Sequence, residues 1–109
     1  MPIHHKELAS GRWNNLSLAE QLGNVGSEVS RALYWRDKDV KNFSTAVDRA
    51  FELLDFTIQD SRWRGRLKEF CRVREFLWDA VEGGKTYGNT LEDLDRYFFD
   101  FALAARRNH

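Results

Sequence analysis

Apolar residues recur at intervals of three and four along most of this chain, a spacing that places side chains on one face of an α-helix. The clearest example is SLAEQLGNVGSEVSRAL, residues 17–33. Its apolar face contains Leu18, Leu22, Val25, Val29 and Leu33. The only proline is Pro2, so the residue that most often interrupts helices is missing from the rest of the chain. The pattern predicts an all-α protein.

Local signals at the ends of the periodic segments predict four helices. Ser17 and Glu20 fit a capping box at the start of helix 1, and Thr90 and Asp93 resemble a second one before helix 4. Gly83 and Gly84 together form a stop signal after helix 3. The predicted helices run from about Ser17 to Arg36, Asp39 to Gln59, Arg62 to Glu82 and Thr90 to Arg107.

The connections between these amphipathic helices are short, which favours an antiparallel up-down-up-down four-helix bundle. Residues 1–16 show little periodicity and are interpreted as an irregular N-terminal arm, with the bundle spanning 17–109. A chain of 109 residues is enough for one such domain. The inward face of helix 3 is predicted to contain Trp63, Leu67, Phe70, Leu77, Trp78 and Val81.

Helix 1 carries a stripe of small residues beside its apolar face, including Gly23, Gly26 and Ser30. Each glycine costs an exposed helix about 1 kcal/mol relative to alanine, so a compensating role is expected. The preferred interpretation is close packing against a neighbouring helix. The alternative is a groove for a small molecule that also uses Glu28 and Arg74.

Residues 62–74 contain six basic side chains and one acid, Glu69. On a helical wheel Arg64, Lys68 and Arg72 point away from the core; we call these three residues the basic stripe. They are candidate ligands for nucleic-acid phosphates. The alternative is pairing with the helix 2 acids Asp48, Glu52 and Asp55. Arg74, by contrast, projects into the apolar face and is interpreted as a structural residue that either extends its guanidinium to solvent or forms an ion pair; binding of a ligand anion is the alternative.

Several large apolar residues fall on polar faces, namely Phe56 of helix 2 and Phe99 and Leu103 of helix 4. Such residues indicate additional cover. Self-association into a homo-oligomer is the preferred interpretation, and cover by the arm, through residues such as Trp13, is the alternative.

The sequence contains no arrangement of residues typical of catalysis. The histidines are His4, His5 and His109, all near the termini, and no metal-ligand spacing or phosphate-binding glycine loop is present. Cys71, the only cysteine, is interpreted as a core thiol. The chain is therefore predicted not to be an enzyme and to need no metal or cofactor.

Composition limits the partners. Seventeen basic and seventeen acidic residues give zero net charge, so any contact with nucleic acid must come from a local patch. No apolar run approaches the roughly 20 residues of a membrane span, and no secretory signal is evident. A cytoplasmic protein without membrane contact is expected.

Three blocks carry a resemblance to known proteins: SLAEQLGNVGSEVSRAL, RWRGRLKEF and YGNTLEDLDRYFFDFALAARR. Together they resemble a group of small uncharacterised prokaryotic four-helix proteins. In size and helix layout the chain is also similar to four-helix proteins encoded in ribosomal-RNA intervening sequences and to accessory variability proteins of diversity-generating retroelements. That similarity implies ring-like self-association and a link to RNA. The chain reads NVGSEVSRA where the intervening-sequence proteins carry a SIPxNIAEG-like segment.

The sequence thus predicts a non-catalytic, self-associating accessory protein, with the basic stripe as its candidate site for RNA or another nucleic acid. Two alternatives stay open: an antitoxin-like regulator that contacts one protein partner, and a small-molecule-binding bundle.

Overall fold

The computed structural model describes residues 11–107 and is helical throughout its regular structure. The α-helices are α1 (Leu18–Trp35), α2 (Val40–Gln59), α3 (Leu67–Val81) and α4 (Leu91–Arg107). Two 3-10 helices, Arg12–Asn15 and Ser61–Arg66, precede α1 and α3. The described residues contain no strand, which confirms the all-α prediction.

The helices pack as an up-down-up-down bundle. α1 lies along both α2 and α4, while α3 contacts α2 and α4 on the side away from α1. The start of α1 therefore lies at the same end as the end of α2, which we call the Gln21 end. The opposite end holds the loop between α3 and α4 and is called the Asp79 end.

Two predicted capping boxes are present. The Glu20 backbone N–H donates to Ser17 Oγ at 3.1 Å, and the Ser17 N–H donates to Glu20 Oε1 at 3.0 Å. Before α4 the Asp93 N–H donates to Thr90 Oγ1 and the Thr90 N–H donates to Asp93 Oδ2, both at 3.1 Å. In each case local chemistry alone sets where the helix begins, because both boxes satisfy backbone donors that have no intrahelical partner.

The core draws on all four helices and on the segment before them. Its most deeply buried large side chains are Trp13, Leu22, Leu54, Phe70, Leu77 and Phe98. Trp13 is 1% exposed, although it precedes the predicted start of the bundle at residue 17. The packed core therefore extends into the segment interpreted as an arm. The remainder of that segment, residues 1–10, lies outside the described residues, as do 108 and 109.

Helix 3 differs from its prediction at its start. A helix from Arg62 was expected, but α3 begins at Leu67, and Trp63 has non-helical angles of φ −104° and ψ 20°. The cause is tertiary: the Trp63 Nε1–H donates to Gln21 Oε1 on α1 at 3.0 Å. The Asp60 carboxylate also accepts the Arg62 backbone N–H, which caps the 3-10 helix instead of an α-helix.

The core face of α3 is also narrower than predicted. Phe70, Val73 and Leu77 form it, whereas Trp78, predicted to be inward, is 55% exposed. Leu67, also predicted to be inward, is 40% exposed at the start of α3. Cys71, interpreted as a core thiol, is exposed on the outward face.

The glycines of α1 allow close approach to α4. A Cβ atom at Gly26 would lie 2.7 Å from Phe98 Cβ, and one at Gly23 would lie 3.2 Å from Ala102 Cα. Ser30, on the same side, donates a hydrogen bond to the Asp95 carboxylate of α4. This geometry supports the packing interpretation of the small-residue stripe, because any larger side chain would push the two helices apart.

Candidate nucleic-acid interface

The outward face of α3 carries the basic stripe. Because α3 packs only on its sides toward α2 and α4, its remaining side faces solvent. Lys68 and Arg72 lie one turn apart on α3, a rise of about 6 Å, and Arg64 precedes them in the 3-10 helix Ser61–Arg66. All three side chains are exposed.

The basic stripe differs from the other arginines of the same segment in its pairing. Within residues 11–107, none of its three members forms an ion pair with a carboxylate. The neighbouring arginines are paired: Arg62 with Asp60 at 2.7 Å, Arg66 with Glu69 at 2.9 Å and Arg74 with Asp55 at 2.7 Å. The basic stripe therefore consists of the cations of this segment whose charge is not paired with a carboxylate of the described residues.

Arg74 takes the structural role expected of it. Its guanidinium binds the Asp55 carboxylate through Nε at 2.7 Å and lies over the Phe51 ring at 5.1 Å. The hydrogen bond to Asp55 raises the pKa of Arg74. Asp55 is thus the helix 2 acid that pairs with this segment, and it pairs with Arg74 and not with the basic stripe.

A cleft of about 880 Å³ lies at the Asp79 end, between the second half of α3 and the loop that follows it. Two exposed rings line it: Trp78 is 55% and Tyr87 is 57% exposed. We call this depression the aromatic cleft. The sequence does not predict this cleft, because Trp78 falls on the predicted core face of helix 3 and Tyr87 falls in a predicted loop. The charged residues that line it are Arg74, Glu75, Asp79, Glu82 and Lys85.

Asp79 holds the loop in place over the end of α3. Its buried carboxylate accepts backbone N–H groups of Thr86 at 2.8 Å, Asn89 at 3.1 Å and Tyr87 at 3.2 Å. Burial by itself would raise the pKa of Asp79, but these donors outweigh it and lower the pKa. Gly84, at φ 75°, supplies the left-handed backbone that the tight reversal requires.

The two aromatic rings are supported from behind, and one of them adjoins the basic stripe. Trp78 meets Phe51 edge-on at 5.7 Å between ring centroids, and Tyr87 meets Phe76 in the same way at 5.4 Å. The Arg72 guanidinium lies 6.0 Å from the centre of the same Phe76 ring. Arg72, the last member of the basic stripe, therefore adjoins the aromatic cleft, while Lys68 and Arg64 continue the stripe toward the Gln21 end.

The residues predicted to mediate self-association do not form a single patch. Phe56 on α2 is half-buried and its ring meets that of Trp13 at 6.2 Å, so its expected exposure is wrong and the segment before α1 supplies its cover. Phe99 on α4 is 53% exposed, and Leu103 one turn later is half-buried. Of these three residues only Phe99 is more than half exposed, and Leu103 lies beside it.

The small-molecule groove proposed beside Gly23 and Gly26 is a cavity of about 190 Å³ between α1 and α4. Neither Glu28 nor Arg74 lines it. Glu28 is buried and pairs instead with Arg31 on its own helix. The two charged residues named for this hypothesis are therefore not brought to the groove, whose polar lining is Ser27, Ser30, Asp95 and Arg106.

Residues 11–107 form neither a metal-binding cluster nor a membrane-spanning helix. No group of three or more His, Cys, Asp or Glu side chains is placed there to hold a metal ion. His4, His5 and His109 lie outside the described residues. Over the same range, no helix is both long enough and apolar enough to cross a bilayer.

No protein-family model matches this chain, and neither a curated protein nor a solved structure shows significant similarity to it.

Proposed function

We propose that this protein binds RNA or another nucleic acid through phosphate contacts made by the basic stripe. The observation that carries the proposal is the unequal pairing of cations around α3. Arg62, Arg66 and Arg74 each have a carboxylate partner, whereas Arg64, Lys68 and Arg72 are exposed and form no ion pair with a carboxylate of the described chain.

Pairing matters because a phosphate must compete with any carboxylate that already holds a cation. An exposed cation without such a partner exchanges only water and loosely held ions for the phosphate, and the release of counterions from the nucleic acid drives binding. Zero net charge means that no overall field adds to this local attraction. Affinity is therefore expected to be modest and to depend on salt.

The salt dependence can be estimated. Each phosphate contact to a single strand contributes a slope of about −0.7 to log K against log salt. Three contacts then predict a loss of affinity of roughly 20-fold between about 50 and 200 mM salt. Fluorescence anisotropy with labelled mixed-sequence RNA and DNA at these two salt concentrations measures it.

Two variants of equal net charge locate the site. The first combines Arg64→Glu, Lys68→Glu and Arg72→Glu in the basic stripe. The control combines Lys38→Glu, Lys41→Glu and Arg107→Glu, three exposed cations at other places. We expect the first to abolish binding and the control to retain most of it. An equal loss of affinity in both variants would indicate a non-specific charge effect and would argue against the stripe as the site. The proposal is refuted if the wild type and the control both fail to bind.

Self-association is a second proposal, supported by the exposed Phe99 ring on α4 and by Leu103 beside it. The expected partner is another copy of the chain. Sedimentation velocity over a range of concentrations should show an oligomer that Phe99→Asp converts to a monomer. A wild-type monomer at every concentration would refute it and would leave Phe99 as a contact for a different protein.

A further inference from the structure

We infer that the aromatic cleft receives an unpaired base of the strand whose phosphates lie on the basic stripe, so that the protein selects single strands over duplexes. This inference rests on the proposed function. It assigns a separate role to Trp78 and Tyr87, which phosphate binding does not use.

The rings suit base stacking because each is supported on one side and open on another. Phe51 contacts Trp78 and Phe76 contacts Tyr87, yet more than half of each aromatic side chain is exposed. Stacking of bases on exposed aromatic side chains is the common means of binding single strands without strict sequence preference. A base inside a duplex is already stacked and paired, so it cannot enter such a cleft.

The charges in the cleft favour a base over a phosphate. Glu75, Asp79 and Glu82 line it, and of its two cations Arg74 is already held by Asp55. The acids would repel a phosphate, whereas an uncharged base is not repelled. The basic stripe and the aromatic cleft therefore divide the strand between them, with the backbone on the stripe and a base in the cleft.

The spacing of the two parts fits a short stretch of strand. Arg72 and Trp78 are six residues apart on α3, a rise of about 9 Å. A stacked strand advances about 3.4 Å for each nucleotide. The two residues also point about 120° apart around the helix axis, so a phosphate on Arg72 would place a base over Trp78 within about four nucleotides.

The cleft is also arranged before any ligand binds. Three backbone N–H groups of the loop, including that of Tyr87, are fixed on the Asp79 carboxylate. Binding then does not have to order the loop, which lowers its entropic cost.

The test compares aromatic variants on three probes: a mixed-sequence single strand, the same strand with abasic positions, and its duplex. The variant is Trp78→Ala with Tyr87→Ala. The control is Tyr34→Ala, which changes an aromatic of similar exposure on α1. We expect the variant to lose roughly 10- to 100-fold affinity for the intact single strand and little for the abasic strand or the duplex. The control should lose little on any probe.

The outcomes separate this inference from the proposed function. An equal loss on intact and abasic strands, or no loss at all, would overturn base stacking while salt-dependent binding by the basic stripe stands. If the charge-reversal variant binds like the wild type, the proposed function itself fails. A second aromatic variant, Trp78→Phe with Tyr87→Phe, keeps a stacking ring at each position and should restore most of the affinity. Failure of this rescue when the variant is folded by circular dichroism would also overturn the inference.

Discussion

Each end of this bundle contains a tryptophan and a buried acid, but the tryptophan is buried at one end and exposed at the other. At the Gln21 end Trp13 is 1% exposed, and its Nε1–H donates to Thr57 Oγ1 at 3.2 Å. At the Asp79 end Trp78 is 55% exposed beside a cleft. The first arrangement closes the core, while the second leaves a large apolar ring in water.

The Gln21 end is held by a connected set of buried hydrogen bonds. The Gln21 side-chain amide donates to the Trp13 carbonyl at 2.9 Å and to Asp60 Oδ2 at 3.0 Å, and its oxygen accepts the Trp63 Nε1–H. Arg62 adds a bond to the Leu16 carbonyl at 2.7 Å. These bonds tie the segment before α1 to α1, α2 and the start of α3. The stability that these hydrogen bonds provide accounts for their presence.

At the Asp79 end the buried acid binds the loop between α3 and α4. The Asp79 carboxylate binds backbone N–H groups, so it fixes the loop without covering the neighbouring rings. Stability explains why the loop is ordered but not why Trp78 and Tyr87 remain exposed. The difference between the ends therefore supports the proposal that the aromatic cleft at the Asp79 end, together with the adjoining Arg72, belongs to the functional surface.

The largest expected effect on stability is at Trp13. Trp13→Ala removes a fully buried indole and leaves Thr57 without its donor, so the free energy of unfolding should fall by about 4 kcal/mol. Urea denaturation followed by circular dichroism measures this. A loss below about 1 kcal/mol would show that the segment before α1 is not part of the core.

Removal of the acid at the Gln21 end should have the next largest effect. Asp60→Ala leaves Arg62 and Gln21 without their shared partner at a buried position, and we expect a loss of about 3 kcal/mol in the free energy of unfolding. Thermal and urea denaturation at neutral pH should agree. A neutral effect would mean that the hydrogen bonds seen around Gln21 do not act together.

The same acid gives this end a defined response to pH. The Arg62 hydrogen bond lowers the pKa of Asp60 to about 2, from an ordinary value of 3.8. A carboxyl group whose pKa is lower in the folded protein contributes stability above its unfolded pKa, and that stability is lost as pH falls through the folded pKa. Wild-type stability should therefore decline between about pH 4 and pH 2 more steeply than that of Asp60→Asn. Parallel curves would contradict this assignment.

The seam between α1 and α4 joins the two ends, and an added methyl group tests how closely it is packed. Gly26→Ala would gain about 1 kcal/mol of helix propensity but must displace Phe98, so we expect a net loss of about 2 kcal/mol. Gly65→Ala is the matched control, since a Cβ there meets nothing within 4 Å. If both variants are equally stable, α1 and α4 are not in close contact.

The smallest expected effect is at Trp78, and it completes the contrast with Trp13. Trp78→Ala removes an exposed ring and one edge contact with Phe51, so the free energy of unfolding should change by less than about 1 kcal/mol. The same urea titration provides the comparison. A loss as large as that of Trp13→Ala would assign Trp78 to the core and remove the reason for proposing a function for it.

Features set by nearby residues could be predicted from the sequence. The capping boxes at Ser17 and Thr90 and the stop at Gly83 depend on local chemistry, so three of the four predicted helices closely match those observed. The exposure of Lys68 and Arg72 follows from α-helical spacing, which decides which face a side chain occupies. Arg64 is also exposed, but it lies in the 3-10 helix Ser61–Arg66, so that spacing does not explain it.

Features set by distant residues could not be predicted. Trp13 is buried because Thr57, 44 positions away, accepts its indole N–H. The start of α3 is displaced because Trp63 reaches Gln21 on another helix. Trp78 has the apolar character of a core residue, and its exposure depends on where α2 and the loop happen to pack. The lack of carboxylate partners for the basic stripe is likewise a property of the assembled bundle.

The most direct test of the central claim follows the four indole N–H signals of the protein in a two-dimensional ¹H–¹⁵N NMR titration with a short single-stranded oligonucleotide. Trp78→Phe identifies the signal of Trp78. We predict that this signal shifts on binding, while that of Trp13, whose N–H group is bonded inside the Gln21 end, stays in place. Shifts confined to the Gln21 end, or no shift at any indole, would contradict the account.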